Sequence, residues 1–146
     1  MTKVAITGAG GFLGLHVRAA ALDHGMEAVA IPMGERFDAD QAQQALEGAD
    51  RVIHLAGVNR GTDSEVVEGN TLFANQLAAA LEAAEQPPGL IVYGNSIQAN
   101  NASVYGTAKQ RAADRLSSSA HFVGSVLQDI KLPNLFGEYG RPFYNS

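Results

Sequence analysis

The chain of 146 residues is 46% hydrophobic and 17% charged, carries a formal net charge of −5 and contains no cysteine. That is enough apolar material for one folded domain, expected to span 1–146, and it excludes an intrinsically disordered chain. The missing thiols exclude disulfides, thiolate metal ligands and cysteine nucleophiles, and the acidic balance argues against a nucleic-acid partner.

The first predicted strand, 4–6, runs directly into T-G-A-G-G-F-L-G over 7–14. In that spacing Gly8 lets the chain leave the strand through a tight turn, Gly11 clears space for a pyrophosphate, and Gly14 lets the next helix pack close. The helix, predicted over 12–24, opens at Phe12 and Leu13 with free N–H groups and a partial positive charge. Strand, glycine turn and helix together point to a phosphate cradle for a nucleotide. An apolar run at 28–31 returns the chain to a sheet. After Ile31 come Pro32, Met33, Gly34, Glu35 and Arg36. A carboxylate at such a strand end would accept from an NAD ribose 2′-OH, whereas an arginine would pair with the NADP phosphate. The strand ends without an immediate acid, which favours NADP(H) over NAD(H), with Arg36 as the contact.

Further helices are predicted over 39–47, 65–85 and 103–118, with strands over 52–55 and 90–93 and a fifth strand, broken by Gly124 and Ser125, over 123–127. Pro87-Pro88-Gly89 ends the third helix. The short continuous apolar runs read as strands buried on both faces. Regular alternation of strand and helix implies an α/β fold: a Rossmann-like doubly wound parallel sheet with helices on both faces. From Leu132 the chain is a loop rich in aromatic and large apolar residues. It either packs back on the sheet or belongs to the front portion of something longer.

Tyr105 and Lys109, in Y-G-T-A-K, stand four apart on one helical face that continues through Ala112 and Leu116. A lysine on an inner stripe is costly unless its charge is used, and a neighbouring phenol is a suitable user. An adjacent ammonium, together with the positive nicotinamide of an oxidised cofactor, would stabilise the phenolate and make the pair a proton-transfer device; the plainer alternative is a surface tyrosine beside a solvated lysine. Ser96 lies nine residues before Tyr105, just past the predicted strand, on the edge where open parallel sheets bind ligands. Its hydroxyl can orient a carbonyl or alcohol toward the phenol, or simply cap a turn. Asn70 shares a helical face with Val66, Phe73 and Leu77, where a buried amide needs partners.

These residues resemble the extended short-chain dehydrogenase/reductase family, also called the NAD-dependent epimerase/dehydratases. The resemblance runs along the whole chain. It implies that T-G-A-G-G-F-L-G is the cofactor turn and that H-L-A-G, ending in Leu55, Ala56 and Gly57, is the strand-end motif beside the adenosine ribose. It also implies that Asn70 supports the active site, that Ser96, Tyr105 and Lys109 form the catalytic triad, with Lys109 also holding the nicotinamide ribose, and that Asn134 in P-N-L-F-G meets the substrate. The strings H-L-A-G-V-N-R, S-I-Q-A, P-N-L-F-G and R-P-F-Y-N-S are similar to the capsular-polysaccharide UDP-4-keto-sugar reductases of that family, whose substrate lobe and cupin domain have no counterpart here. The implied activity is reduction of a 4-keto UDP-2-acetamido-2,6-dideoxyhexose; the alternatives are a nucleotide-sugar 4-epimerase and a dinucleotide-binding module without turnover. Ile97 and Gln98 stand where the family's dehydratases place Asp and Glu, which disfavours dehydration, and Asn95 stands where many relatives have serine. A homodimer through helices 65–85 and 103–118 is a further implication.

The four histidines, at 16, 24, 54 and 121, lack ligand spacing, so no metal is expected. No apolar stretch approaches 18 residues and no apolar leader follows Lys3, so a cytoplasmic protein without a membrane partner is expected.

Overall fold

The computed structural model describes residues 1–140. Five strands, β1 (Lys3–Thr7), β2 (Glu27–Ile31), β3 (Arg51–His54), β4 (Leu90–Ser96) and β5 (Val126–Leu132), form one sheet in the order β2-β1-β3-β4-β5. All neighbouring pairs are parallel. The strands alternate with α1 (Phe12–Asp23), α2 (Ala39–Leu46), α3 (Asp63–Ala83) and α4 (Val104–Val123), and short 3-10 turns occupy Gly34–Arg36 and Ile97–Asn100.

Side-chain alternation along β1 divides the core. Val4 and Ile6 face α1 and pack with Val17 and Ala21. Ala5 points the other way, where Val52 and Ile91 meet Leu46 of α2, Leu77 and Leu81 of α3, and Leu116 of α4. Helices therefore cover both faces, α1 on one and α2 to α4 on the other. α3 and α4 pack on each other, and small residues, Ala74, Ala78, Ala112, Ala113 and Ala120, are buried along them.

Local chemistry sets the helix ends. Thr62 and Glu65 form a reciprocal capping box at α3, and Ser103 accepts from the Gly106 N–H at α4. At the far end of α4, Gly124 adopts φ 76°, the left-handed cap. The helix thus runs on through Val123, and the fifth strand begins three residues later than the sequence predicts. β4 is also longer than predicted and carries Ser96 as its last residue. Burial on both faces holds for β1 but not at the edges: β2 is half-buried, and Val126 of β5 is 65% exposed. A lightly covered edge strand tolerates the polar residues Gln128, Asp129 and Lys131.

After β5 the chain turns back. Leu132 to Leu135 wall a cleft at the strand ends, and the Glu138 carbonyl meets His16 Nε2 of α1 at 2.9 Å. Phe136 and Tyr139 nevertheless point outward. The closing R-P-F-Y-N-S lies outside the described residues. Among those described, no helix is long and apolar enough to cross a membrane.

Candidate active site

The sheet order places a topological switch between β1 and β3, because the chain leaves β1 toward β2 and then returns to β3 on its other side. Open α/β sheets bind ligands beyond the C-terminal strand ends at such a point. Two adjoining cavities lie there.

The first, about 540 Å³, is lined by the glycine turn, by Ala30 to Met33 at the end of β2, by Leu55 to Gly57 after β3, and by Phe73 of α3. Gly8 takes φ +67°, and a Cβ there would stand 2.6 Å from the Ala56 nitrogen. A Cβ on Gly14 would collide with the Gly8 carbonyl oxygen at 1.9 Å. These two glycines are thus demanded by internal packing, whereas a Cβ on Gly11 would meet only the Gly8 carbonyl oxygen at 3.4 Å. Gly11 is the N-cap of α1 and offers no side-chain cap, so the N–H groups of the first turn have no helical partner and remain available to an anion. Such a cradle of amides and bare backbone fits a dinucleotide pyrophosphate. Phe12 contributes only its place at the helix start: its ring packs edge-on to His16, 4.9 Å between centroids, and lines neither cavity.

Arg36 lines this cavity, and so does Arg18, which the sequence reading missed. Arg18 lies one helical turn after Gly14, a spacing that places it on the face of the glycine turn. The Gly34–Arg36 turn is pinned from α3: Gln76 Oε1 accepts from the Gly34 N–H at 2.8 Å and its Nε2 donates to the Gly34 carbonyl at 3.1 Å.

The second cavity, about 350 Å³, shares Leu13, Leu55 and Gly57 with the first. Ser96, Tyr105, Lys109 and Asn134 all line it, together with Asn59, Arg60, Asn95 and Gln98. Four separate segments bring them there: the end of β4, the start of α4, the loop after β3 and the segment after β5. Gly106 permits this approach, since a Cβ there would stand 1.9 Å from the Gln98 carbonyl oxygen. Ser96 lines the cleft and also caps, its Oγ accepting from the Gln98 N–H at 3.1 Å. Asn95 Oδ1 accepts from the Ser96 N–H at 2.8 Å, while its Nδ2 is buried without a partner. No carboxylate lines this cavity among the described residues.

Lys109 is 4% exposed. Its Nζ donates to the Gly94 carbonyl at 2.7 Å and stands over the Tyr93 ring, 4.5 Å from the centroid. Burial draws its pKa down to about 8, with Asp129 of β5 pulling the other way. The sequence reading gave this charge the task of acidifying Tyr105. In the chain by itself, burial raises the Tyr105 phenol above its ordinary value. Asn70, 2% exposed, accepts from the Val58 N–H at 3.2 Å and donates to the Val58 and Val66 carbonyls at 2.7 Å each. This holds the loop carrying Gly57.

Residues 4–145 match the model of the NAD dependent epimerase/dehydratase family. Over 145 residues, 99% of the chain, it is 32% identical to a UDP-2-acetamido-2,6-beta-L-arabino-hexul-4-ose reductase of Pseudomonas aeruginosa, and it spans 38% of that protein's length. Among solved structures it is similar to the capsular polysaccharide assembling protein CapF of Staphylococcus aureus, with TM-score 0.75, 28% identity, and coverage of 99% of this chain and 38% of that one. It is also similar to the UDP-glucuronic acid 4-epimerase of Bacillus cereus, solved in complex with NAD, with TM-score 0.81, 18% identity, and coverage of 98% and 59%. The latter likeness is one of fold.

Proposed function

The chain belongs to the NAD dependent epimerase/dehydratase family, and on that premise we propose that it reduces a 4-keto nucleotide sugar, using NADP(H) in preference to NAD(H). The carrying observation is that Ser96, Tyr105 and Lys109 line one cleft that shares Leu13, Leu55 and Gly57 with the glycine-turn cavity. The substrate class follows from the Pseudomonas reductase, whose name describes a UDP-linked 4-ketose; the narrowest reading is a 4-keto UDP-2-acetamido-2,6-dideoxyhexose. The chain spans 38% of that relative's length, so the relative's activity enters here as a proposal.

A bound nicotinamide dinucleotide supplies hydride. The chain's residues do the rest. The α1 amides and the glycine turn grip the pyrophosphate. Arg36, with Arg18 on the neighbouring helix, supplies positive charge to a ribose 2′-phosphate. Ser96 holds the sugar carbonyl oxygen, with Asn134 on the substrate side, and Lys109 holds the nicotinamide ribose. Tyr105 delivers a proton to that oxygen. Burial holds the phenol above its ordinary value, so it enters the reaction protonated. Ile97 and Gln98 stand where the family's dehydratases place Asp and Glu, which disfavours dehydration. A homodimer through the outward faces of α3 and α4 belongs to the same proposal and is read by light scattering.

The test is Tyr105→Phe. Turnover of a UDP-4-keto sugar should fall by about 10²-fold or more, while NADPH binding, followed by fluorescence, stays within about threefold of wild type. Equal turnover by the variant ends the proposal, and wild type that binds dinucleotide but turns over no 4-keto sugar identifies a binding module.

A further inference from the structure

Beneath Lys109 runs a column of buried side chains to which the reaction gives no task. Tyr93, on β4, supplies the ring beneath the ammonium, and its hydroxyl donates to the Lys109 backbone carbonyl at 3.3 Å. One residue therefore meets both the backbone and the charged end of the same lysine. The ring in turn stacks on His54 of β3, 5.5 Å between centroids and 24° between planes. His54 Nδ1 lies 2.6 Å from Thr7 Oγ1 of β1. That hydroxyl already accepts from the N–H groups of Leu55 and Ala56, at 3.1 and 3.2 Å, so its own hydrogen is the one left for Nδ1. His54 thus accepts at Nδ1 and carries its proton on Nε2.

Each member is held in one charge state. Burial, with Lys109 adding to it, pushes His54 down to about 3, so the ring is neutral across physiological pH. Burial pushes the Tyr93 phenol above its ordinary value, with Tyr105 and Asp129 contributing. Lys109 is therefore the one member that carries charge at neutral pH. The groups facing it are neutral His54 from β3, neutral Tyr93 from β4, Asp129 from β5 and Tyr105 on its own helix. The ring face is what β4 offers the ammonium besides the Gly94 carbonyl.

We infer that Tyr93 is a positioning residue for Lys109, its ring carrying the ammonium and its hydroxyl fixing the helix turn, and that His54 and Thr7 brace this platform against the glycine-turn loop. This rests on the reading of Lys109 as the residue serving the nicotinamide ribose. A ring face attracts a cation, so the platform favours the charged lysine and fixes where it points. A merely space-filling Tyr93 would do neither.

The three lysines, at 3, 109 and 131, make the test direct. In the chain labelled at lysine with ¹³C and ¹⁵N, the Lys109 ε-methylene should resonate upfield of the other two, shifted by the ring, and titrate well below them. Replacing Tyr93 with Phe should preserve both signatures. Tyr93→Leu should abolish the ring shift and lower the Lys109 midpoint by roughly half a unit to one unit. Should Tyr93→Leu fail to fold, tetrafluorophenylalanine at position 93 keeps the shape and weakens the ring face; the same lowering is expected. An unchanged Lys109 midpoint in both ring-weakened proteins overturns the inference. Because the signal needs no turnover, the expected shifts in a protein that reduces no 4-keto sugar would support the platform while refuting the reductase reading.

Discussion

Lys109→Met should make the protein more stable while depriving it of turnover. Burial lowers the Lys109 pKa from 10.5 to about 8, a displacement of about two and a half pH units that amounts to about 3 kcal/mol of folding free energy at neutral pH. Methionine fills a similar volume without charge. Against that gain stand the lost hydrogen bond to Gly94 and the lost contact with the Tyr93 ring, together about 1–2 kcal/mol. The net expectation is a stabilisation of about 1–2 kcal/mol at pH 7, or about 2–6 °C in Tm for a chain of this size. The pH dependence carries the sign. With a folded-state pKa below the unfolded one, the native wild type sheds its proton first. Its stability therefore recovers as the pH rises from about 8 toward 10.5, and the variant's advantage shrinks. Urea unfolding of both proteins, followed by circular dichroism at pH 7 and pH 10, reads the difference while tyrosine ionisation, common to both, cancels. A variant less stable than wild type at pH 7, or an advantage identical at both pH values, would refute the reasoning.

Gly14→Ala should destabilise the turn by about 2 kcal/mol or more and remove dinucleotide binding, because its Cβ would overlap the Gly8 carbonyl oxygen. Gly11→Ala, with an ordinary 3.4 Å contact, should leave Tm within about 2 °C yet weaken NADPH binding about tenfold; calorimetric melting and titration distinguish the two. Arg36→Ala and Arg18→Ala should each raise the Kd for NADPH about tenfold and leave that for NADH within about threefold, as expected of charge-assisted contacts to a phosphate; equal losses for both coenzymes would count against the NADP(H) assignment. Asn70→Leu should cost about 2–4 kcal/mol, since it strands the Val58 N–H and carbonyl. In hydrogen exchange the Val58 amide, in the loop after β3, should lose protection before the amides of α3.

What could be read in the sequence was local. Glycines at 8, 11 and 14, the alternation of strand and helix, and Ser96, Tyr105 and Lys109 all announce themselves through spacing within one or two elements. β5 was misplaced because Gly124 looks like a break within a strand, when it is the left-handed cap that ends α4. The partners of Lys109 were hidden for a different reason: Gly94 and Tyr93 reach it from another element, and a four-residue spacing on α4 suggests Tyr105 alone. Arg18 was within reach, one turn beyond Gly14. Gln76 was not, because its clamp on Gly34 spans 42 residues of chain.

The turn after β4 also bears on polarity. The Gln98 amide takes one lone pair of Ser96 Oγ, which leaves that hydroxyl its hydrogen and one further lone pair for a guest. For the ketone of the proposed reaction, the hydrogen is the half that serves. Threonine could inherit this orientation, whereas alanine would unmake the 3-10 turn and the welcome together.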